Sequence, residues 1–163
     1  MDKNTSMIEF LLRCPTIQEN PLFFNFAYVE DGNNHMITEK DIKKRPYIDG
    51  SVLKQYTFTI ASYCAVVHNA IVGDNTNNTF LDDINVDNMA KVQAILDWID
   101  EEAEKLPDTN ILDFGPDCEI ESMETLTVDP DIDGIDTSVN PPIARYSIGV
   151  RVTYLDKSKQ IWK

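Results

Sequence analysis

The alternation near the end of the sequence constrains the fold more than any other feature. Within the segment 144–155, apolar and polar side chains alternate without a break over the ten residues 145–154. Because successive side chains of a strand point to opposite faces of a sheet, this pattern predicts a strand with one face on a core. The predicted core face carries Tyr146, Ile148, Val150, Val152 and Tyr154, and the other face carries Arg145, Ser147, Gly149, Arg151 and Thr153. A sheet of this kind needs a second layer to cover its apolar face.

A second strong pattern predicts that covering layer. Over residues 88–106, apolar side chains recur at spacings of three and four, which is the period of one helix face. Asp87 is a suitable N-cap and Pro107 ends the segment. The apolar stripe consists of Met89, Val92, Ile95, Leu96, Ile99, Ala103 and Leu106. We expect one long amphipathic helix that packs by a single stripe.

The remaining patterns predict shorter elements. The first is a helix over 4–13, which Pro15 ends, and the second is a strand over 21–29 that forms a hairpin with 35–38. A turn of helix or a loop follows over 39–45, and then a strand over 52–67. After the long helix come a strand over 119–128 and a long loop over 129–142. We therefore predict a single α+β domain over residues 1–163. It has a mostly antiparallel sheet covered on one face by a long amphipathic helix plus a short N-terminal helix.

The strand over 52–67 carries its own alternation. Tyr56, Phe58 and Ile60 point one way, and the smaller residues between and after them point the other way. A half-buried strand is typical of this pattern. We expect the face that holds Thr57, Thr59 and Ala61 to lie away from the core.

Opposite charges are segregated along the sequence. The net charge is −14, which argues against tight wrapping of nucleic acid. Residues 106–144 contain ten acids and no base, and a short basic cluster lies at 43–45. The bases of the C-terminal segment are Arg145, Arg151, Lys157, Lys159 and Lys163. Such segregation suits surfaces that meet copies of the same chain, and pairing within one chain explains it equally well.

The sequence offers no recognisable catalytic or metal motif. His35 lies in a predicted turn and His68 follows a buried strand, and neither belongs to a nucleophile or metal signature. Cys14, Cys64 and Cys118 are widely spaced and fit reduced thiols. We predict that the protein is not an enzyme and has no catalytic, cofactor-binding or metal-binding residue.

One acidic segment partly matches a calcium loop. Residues 129–136 place alternating aspartates around Gly134, which is how such loops gather oxygen ligands about a tight turn. The twelfth position is Asn140 where a bidentate glutamate is needed. A looser cation site is one interpretation, and a solvated acidic loop is the preferred one.

The order of elements resembles a family of phage proteins. A helix and an early hairpin at 22–38 precede a strand at 56–60 and the long helix, whose centre reads Asp97-Trp98-Ile99. A long loop then leads into the arginine-bearing strand at 145–152. This order is similar to that of the tail-terminator (tail-completion) and minor structural proteins of phages and prophages of low-GC Gram-positive bacteria. The likeness covers most of the chain.

The resemblance implies a virion structural protein at the head-proximal end of the tail, assembled in the cytoplasm of the bacterial host. A homohexameric ring would cap the tail tube, end its polymerisation and join the tail to the head connector. Its partners would be copies of itself, the tail tube protein, the head-tail connector protein and, in a contractile tail, the sheath protein. Genome DNA would pass through a negative lumen without specific binding.

Two alternatives stay open. In the first alternative, the protein is another head-tail adaptor or tube component. In the second, it is a small α+β binding or enzymatic domain with a deep polar pocket. No apolar run approaches the ~20 residues that span a bilayer, and the N-terminal segment is too charged for a signal peptide, so we expect no membrane partner. If the basic C-terminal segment joins copies, neutralising Lys157, Lys159 and Lys163 weakens assembly in a salt-sensitive way.

Overall fold

The computed structural model describes residues 2–66 and 84–161 and has an α+β fold. The described ranges contain three helices and a mixed sheet of seven strands. The helices are α1 (Lys3–Leu11), α2 (Pro15–Gln18) and α3 (Ile84–Ala103). The strands are β1 (Leu22–Phe24), β2 (Asn34–Thr38), β3 (Ile42–Pro46), β4 (Val52–Ala65), β5 (Cys118–Thr125), β6 (Asp131–Asp136) and β7 (Ile143–Asp156).

Two long strands form the centre of the sheet. Strands β4 and β7 have 14 residues each and pair antiparallel from Val52 opposite Asp156 to Ala65 opposite Ile143. On its other side, β4 pairs with β2 and β3, while β7 pairs with β5 and β6. Strand β1 pairs with β2 in parallel, which makes the sheet mixed.

The buried face of the sheet, which we call the core face, holds the apolar side chains that the alternation predicts. Every second residue of β7 from Ala144 to Tyr154 is buried. Helices α1, α2 and α3 contribute apolar side chains to the same cluster, and the rings of Phe10 and Trp98 join α1 to α3 with centroids 4.9 Å apart. The predictions for β7 and for the apolar stripe of the long helix are confirmed in this cluster.

The predicted hairpin at 22–38 is wrong. Strand β1 ends at Phe24 and runs parallel to β2, so residues 25–33 carry the chain back instead of turning it tightly. Asn25 has a φ of 58°, and its side-chain oxygen accepts the backbone N–H of Thr38 at 2.8 Å. The amide of Asn33 donates to the carbonyl of Tyr28 at 3.0 Å. These side-chain contacts stabilise a crossing segment that strand patterns do not reveal.

Two segments predicted as non-strand are strands. Strand β3 occupies most of the segment predicted as a helical turn or loop, and β6 lies within the predicted loop 129–142. Both strands are exposed along most or all of their length. Because backbone pairing with β4 and β7 holds them, their side chains show no buried alternation.

Several element boundaries and faces also differ from expectation. Helix α3 begins at Ile84, so Asp87 lies in its first turn and is not the N-cap. Thr57 and Ala61 are buried, although their face of β4 was expected to lie away from the core. Helix α1 begins at Lys3, where Asp2 caps it by accepting the N–H of Thr5 at 3.0 Å. Among the described helices, none is long and apolar enough to cross a membrane.

Candidate interaction surfaces on the sheet edges

Strand β3 forms a basic edge of the sheet. Its five residues are all exposed and include Lys43, Lys44 and Arg45. The Arg45 guanidinium lies 5.4 Å from the ring centroid of Tyr47, which holds it along the strand. Within 2–66 and 84–161, Lys43 and Lys44 take part in no ion pair. The basic edge therefore presents unneutralised positive charge to solvent.

Strand β6 forms an acidic edge on the opposite side of the sheet. Asp131 and Asp133 are exposed and Asp136 is half-buried. The hydroxyl and the backbone N–H of Ser138 both donate hydrogen bonds to Asp136, and the N–H lies 2.9 Å from the carboxylate oxygen. These hydrogen bonds lower the pKa of Asp136. The segment interpreted as a solvated acidic loop is instead the exposed strand β6, where successive side chains point to opposite faces. No group of three His, Cys, Asp or Glu able to hold a metal ion occurs in the described ranges.

Most bases of the C-terminal segment are neutralised inside the chain. Arg145 lies 3.2 Å from Asp133. Arg151 lies 3.4 Å from Glu124, its partner across the ladder of β5 and β7. Lys157 contacts Glu119. Lys159 is exposed, and Lys163 lies outside the described residues. Adjacent unpaired bases of the described structure therefore lie on the basic edge, which sequence reasoning noted only as a short cluster.

Exposed apolar side chains concentrate near the same two edges. On or next to the basic edge they are Ile42, Tyr47 and Ile48, the last of which is 94% exposed. On or next to the acidic edge they are Leu126, Val128, Ile132, Ile135 and Val139. A third group of Phe24, Phe26, Tyr28 and Val29 follows β1. Apolar side chains grouped in this way, unlike single exposed ones, are typical of surfaces that bind other proteins.

The sheet face opposite the core face, which we call the outer face, contains buried polar atoms without hydrogen-bond partners. They are both ring nitrogens of His35, Oγ1 of Thr57 and Nε of Arg145 and Arg151. Asp133 lies near Arg145 Nε, but the two are not aligned for a hydrogen bond. Buried polar atoms of this kind cost free energy unless a partner satisfies them.

His35 lies in β2, not in the predicted turn, and is 9% exposed. Burial lowers the pKa of its imidazole, and the nearby charge of Arg145 lowers it further. The backbone carbonyl of Asn25 raises the pKa in part, although it forms no well-aligned hydrogen bond with the ring. The ring stacks on Tyr63 with centroids 6.3 Å apart. His68 lies outside the described residues. Among the described residues, the groups that act on His35 are thus the Tyr63 ring, the Asn25 carbonyl and the charge of Arg145.

A cleft of about 540 Å³ lies between the segment that follows α3 and the start of β5. Its polar lining includes Asp113, Cys118 and Glu119. Burial raises the pKa of the Cys118 thiol, and the charge of Asp156 raises it further. A thiol with a raised pKa is a weak nucleophile at neutral pH. All three cysteines are free, as predicted.

No protein-family model matches the sequence, and no curated protein matches it. Function is therefore inferred from the surfaces described above and from the order of elements along the chain.

Proposed function

We propose that this protein is a virion structural protein of the tail-terminator kind. Copies of the chain form a closed ring that caps the phage tail tube, ends its polymerisation and joins the tail to the head connector. The observation that carries the proposal is the concentration of charge and exposed apolar side chains at two edges of one sheet. A single copy leaves both edges in water, whereas a neighbouring copy would cover them.

The composition of the two edges supports contacts between copies. Interfaces between proteins combine a buried apolar centre with a polar rim. In the acidic edge, Ile132 and Ile135 lie between aspartates, and in the basic edge Ile42 precedes Lys43. Each strand thus combines exposed apolar side chains with charges of one sign.

In such a ring, α3 and α1 would cover the core face, and the outer face would be available to neighbours or to the lumen. The side chains of Arg145 and Arg151 lie on that face and are about one third exposed. Their exposed parts are available to a neighbouring subunit, whereas Thr57 is buried within the single chain. The net charge of −14 would keep a lumen from holding DNA phosphates.

The direct test uses the full chain. Multi-angle light scattering and negative-stain electron microscopy should show rings with a mass near six times that of the monomer. Tail tube protein of the same phage, polymerised in the presence of these rings, should give short tubes with a ring at one end. A chain that stays monomeric at millimolar concentration and leaves tube length unchanged would overturn the proposal.

A further inference from the structure

The basic edge and the acidic edge each have a single hydrogen-bonded neighbour. Among the described strands, β3 pairs with β4 alone and β6 pairs with β7 alone. The free side of each strand therefore presents backbone N–H and C=O groups to which another strand can add. The two strands contain five and six residues, so their lengths match.

Charge favours one way of joining these edges. Two basic edges would bring Lys43, Lys44 and Arg45 against the same residues, and two acidic edges would do the same with aspartates. Like charges directly opposite each other destabilise a strand pair, whereas opposite charges stabilise it. Each edge thus rejects a copy of itself and accepts the other edge.

The two edges lie at diagonally opposite corners of the sheet. The basic edge pairs with the start of β4, from Val52 to Gln55. The acidic edge pairs with β7 from Ile143 to Ser147, which faces the far end of β4. Contact between two different patches on identical subunits is heterologous, and its repetition generates a closed ring or an open filament.

From these observations we propose that the basic edge of one copy adds as a strand to the acidic edge of the next copy. The sheet then continues from subunit to subunit, main-chain hydrogen bonds join the copies, and lysine–aspartate pairs select the partner. The pairing covers Ile42 on one side and Ile132 and Ile135 on the other. This proposal rests on the proposed function, because it names the contact that builds the ring.

Each edge also carries features that restrict the pairing to a short stretch. The ladder is irregular between Lys43 and Arg45 in β3, and between Ile132 and Gly134 in β6. Pro46 ends the basic edge and has no N–H to donate. Bulges, lysines and prolines at edges limit unspecific strand addition. The contact is therefore short and selective.

Charge-reversed variants test this pairing. Lys43→Glu with Lys44→Glu changes the basic edge from three positive charges to one negative charge. Asp131→Lys with Asp136→Lys changes the acidic edge from three aspartates to two lysines and Asp133, which already pairs with Arg145. We expect each variant alone to sediment as a monomer, because its two edges then carry the same sign. An equimolar mixture should restore particles of alternating copies, which close for an even number such as six.

Recovery in the mixture also shows that both variants are folded, and circular dichroism checks this for each one alone. If the wild type assembles and each variant alone forms the same particles, the strand pairing is wrong and the proposed function stands. A mixture that stays monomeric would also overturn the pairing, because complementary edges are then present. A wild-type chain that does not assemble would overturn the proposed function itself.

Discussion

The hydroxyl of Tyr154 donates a hydrogen bond to Oδ2 of Asp41 at 2.8 Å. Lys3 contacts the same carboxylate, and its Nζ lies 3.3 Å from the Tyr154 hydroxyl. Asp41 directly precedes β3, so this cluster joins the N-terminal helix and the last strand to the start of the basic edge. The position of the basic edge thus depends on a contact that is distant in sequence.

A double-mutant cycle should detect this coupling. Burial raises the pKa of Tyr154, and the hydrogen bond to Asp41 raises it further, so the hydroxyl stays protonated and donates. Tyr154→Phe removes the donor and should lower the free energy of unfolding by about 2 kcal/mol, as is typical of a hydrogen bond to a charged group. Urea unfolding of Tyr154→Phe, Asp41→Asn and the double variant measures the coupling. Strictly additive losses would contradict it.

The stability that Asp156 provides should disappear in acid. Burial alone would raise the pKa of this carboxyl, but hydrogen bonds from Lys54, at 2.6 Å, and from Ser158 outweigh it and lower the pKa to about 2. Because the folded pKa lies below the unfolded value of 3.8, the stabilisation is complete above pH 3.8 and is lost as the pH falls toward 2. Its size is at most about 2 kcal/mol.

We therefore expect Asp156→Asn to destabilise the protein at pH 7 and to have little effect near pH 2. Asp108→Asn, which removes the same charge from an exposed position, is the control. Urea unfolding of the three proteins at both pH values measures the difference. An Asp156→Asn effect that does not change with pH would argue against an ionised, paired carboxylate.

The elements predicted correctly from sequence are those whose burial leaves a period in the side chains. Strand β7 faces a core along its whole length, and α3 packs by one stripe, so both show their periods clearly. Strands β3 and β6 are held by backbone pairing while their side chains stay in water. The parallel pairing of β1 depends on the crossing segment after Phe24, and no local pattern encodes it.

The candidate surfaces were only partly predictable for a related reason. The sequence shows the segregation of charge, but it does not show which charges neutralise each other. Arg151 is paired because the register of β5 and β7 places Glu124 directly opposite it. That register follows from backbone pairing over the whole ladder. The same cause leaves Lys43 without an ion pair among the described residues, since the register of β3 and β4 places Lys54 opposite it.

His35 should make the fold less stable as the pH falls below neutrality. Burial lowers its pKa from 6.5, and Arg145 is the charged group whose field reaches the ring. The unfolded chain then binds a proton more readily than the folded one, so stability is complete above pH 6.5 and is lost as the pH falls toward the lower folded pKa.

His35→Phe keeps an aromatic ring beside Tyr63 and cannot take up a proton. We expect it to be at least as stable as the wild type at pH 7.5, because it removes two unpartnered nitrogens, and to gain on the wild type at pH 5. Thermal unfolding at both pH values makes the comparison. Parallel pH profiles for the two proteins would show that His35 stays neutral or finds a partner.

Two glycines should differ strongly in their tolerance of the same substitution. Gly50 has a φ of 91°, and a Cβ there would collide with the backbone oxygen of Lys159. The chain near Lys159 is held in place because the N–H of Ile161 donates a hydrogen bond to the carbonyl of Asp49. Gly50→Ala should cost more than about 2 kcal/mol, since left-handed strain alone costs about 1–2 kcal/mol. Gly134→Ala, whose Cβ would meet nothing within 4 Å, should stay within about 0.5 kcal/mol of the wild type. Equal effects at the two sites would contradict this geometry.

The salt dependence of assembly should follow the basic edge and not the C-terminal bases. Lys43→Gln with Lys44→Gln removes two charges that have no partner within the described chain. Lys157→Gln with Lys159→Gln removes the same number, but Lys157 already contacts Glu119. Exposed charges are screened over about 8 Å at physiological ionic strength, so contacts between edges should weaken as salt rises.

We therefore expect the first pair of substitutions to weaken assembly at least tenfold in low salt and to flatten its salt dependence, while the second pair leaves both nearly unchanged. Sedimentation velocity across a series of salt concentrations measures both quantities. The opposite ranking would assign the contact to the C-terminal bases.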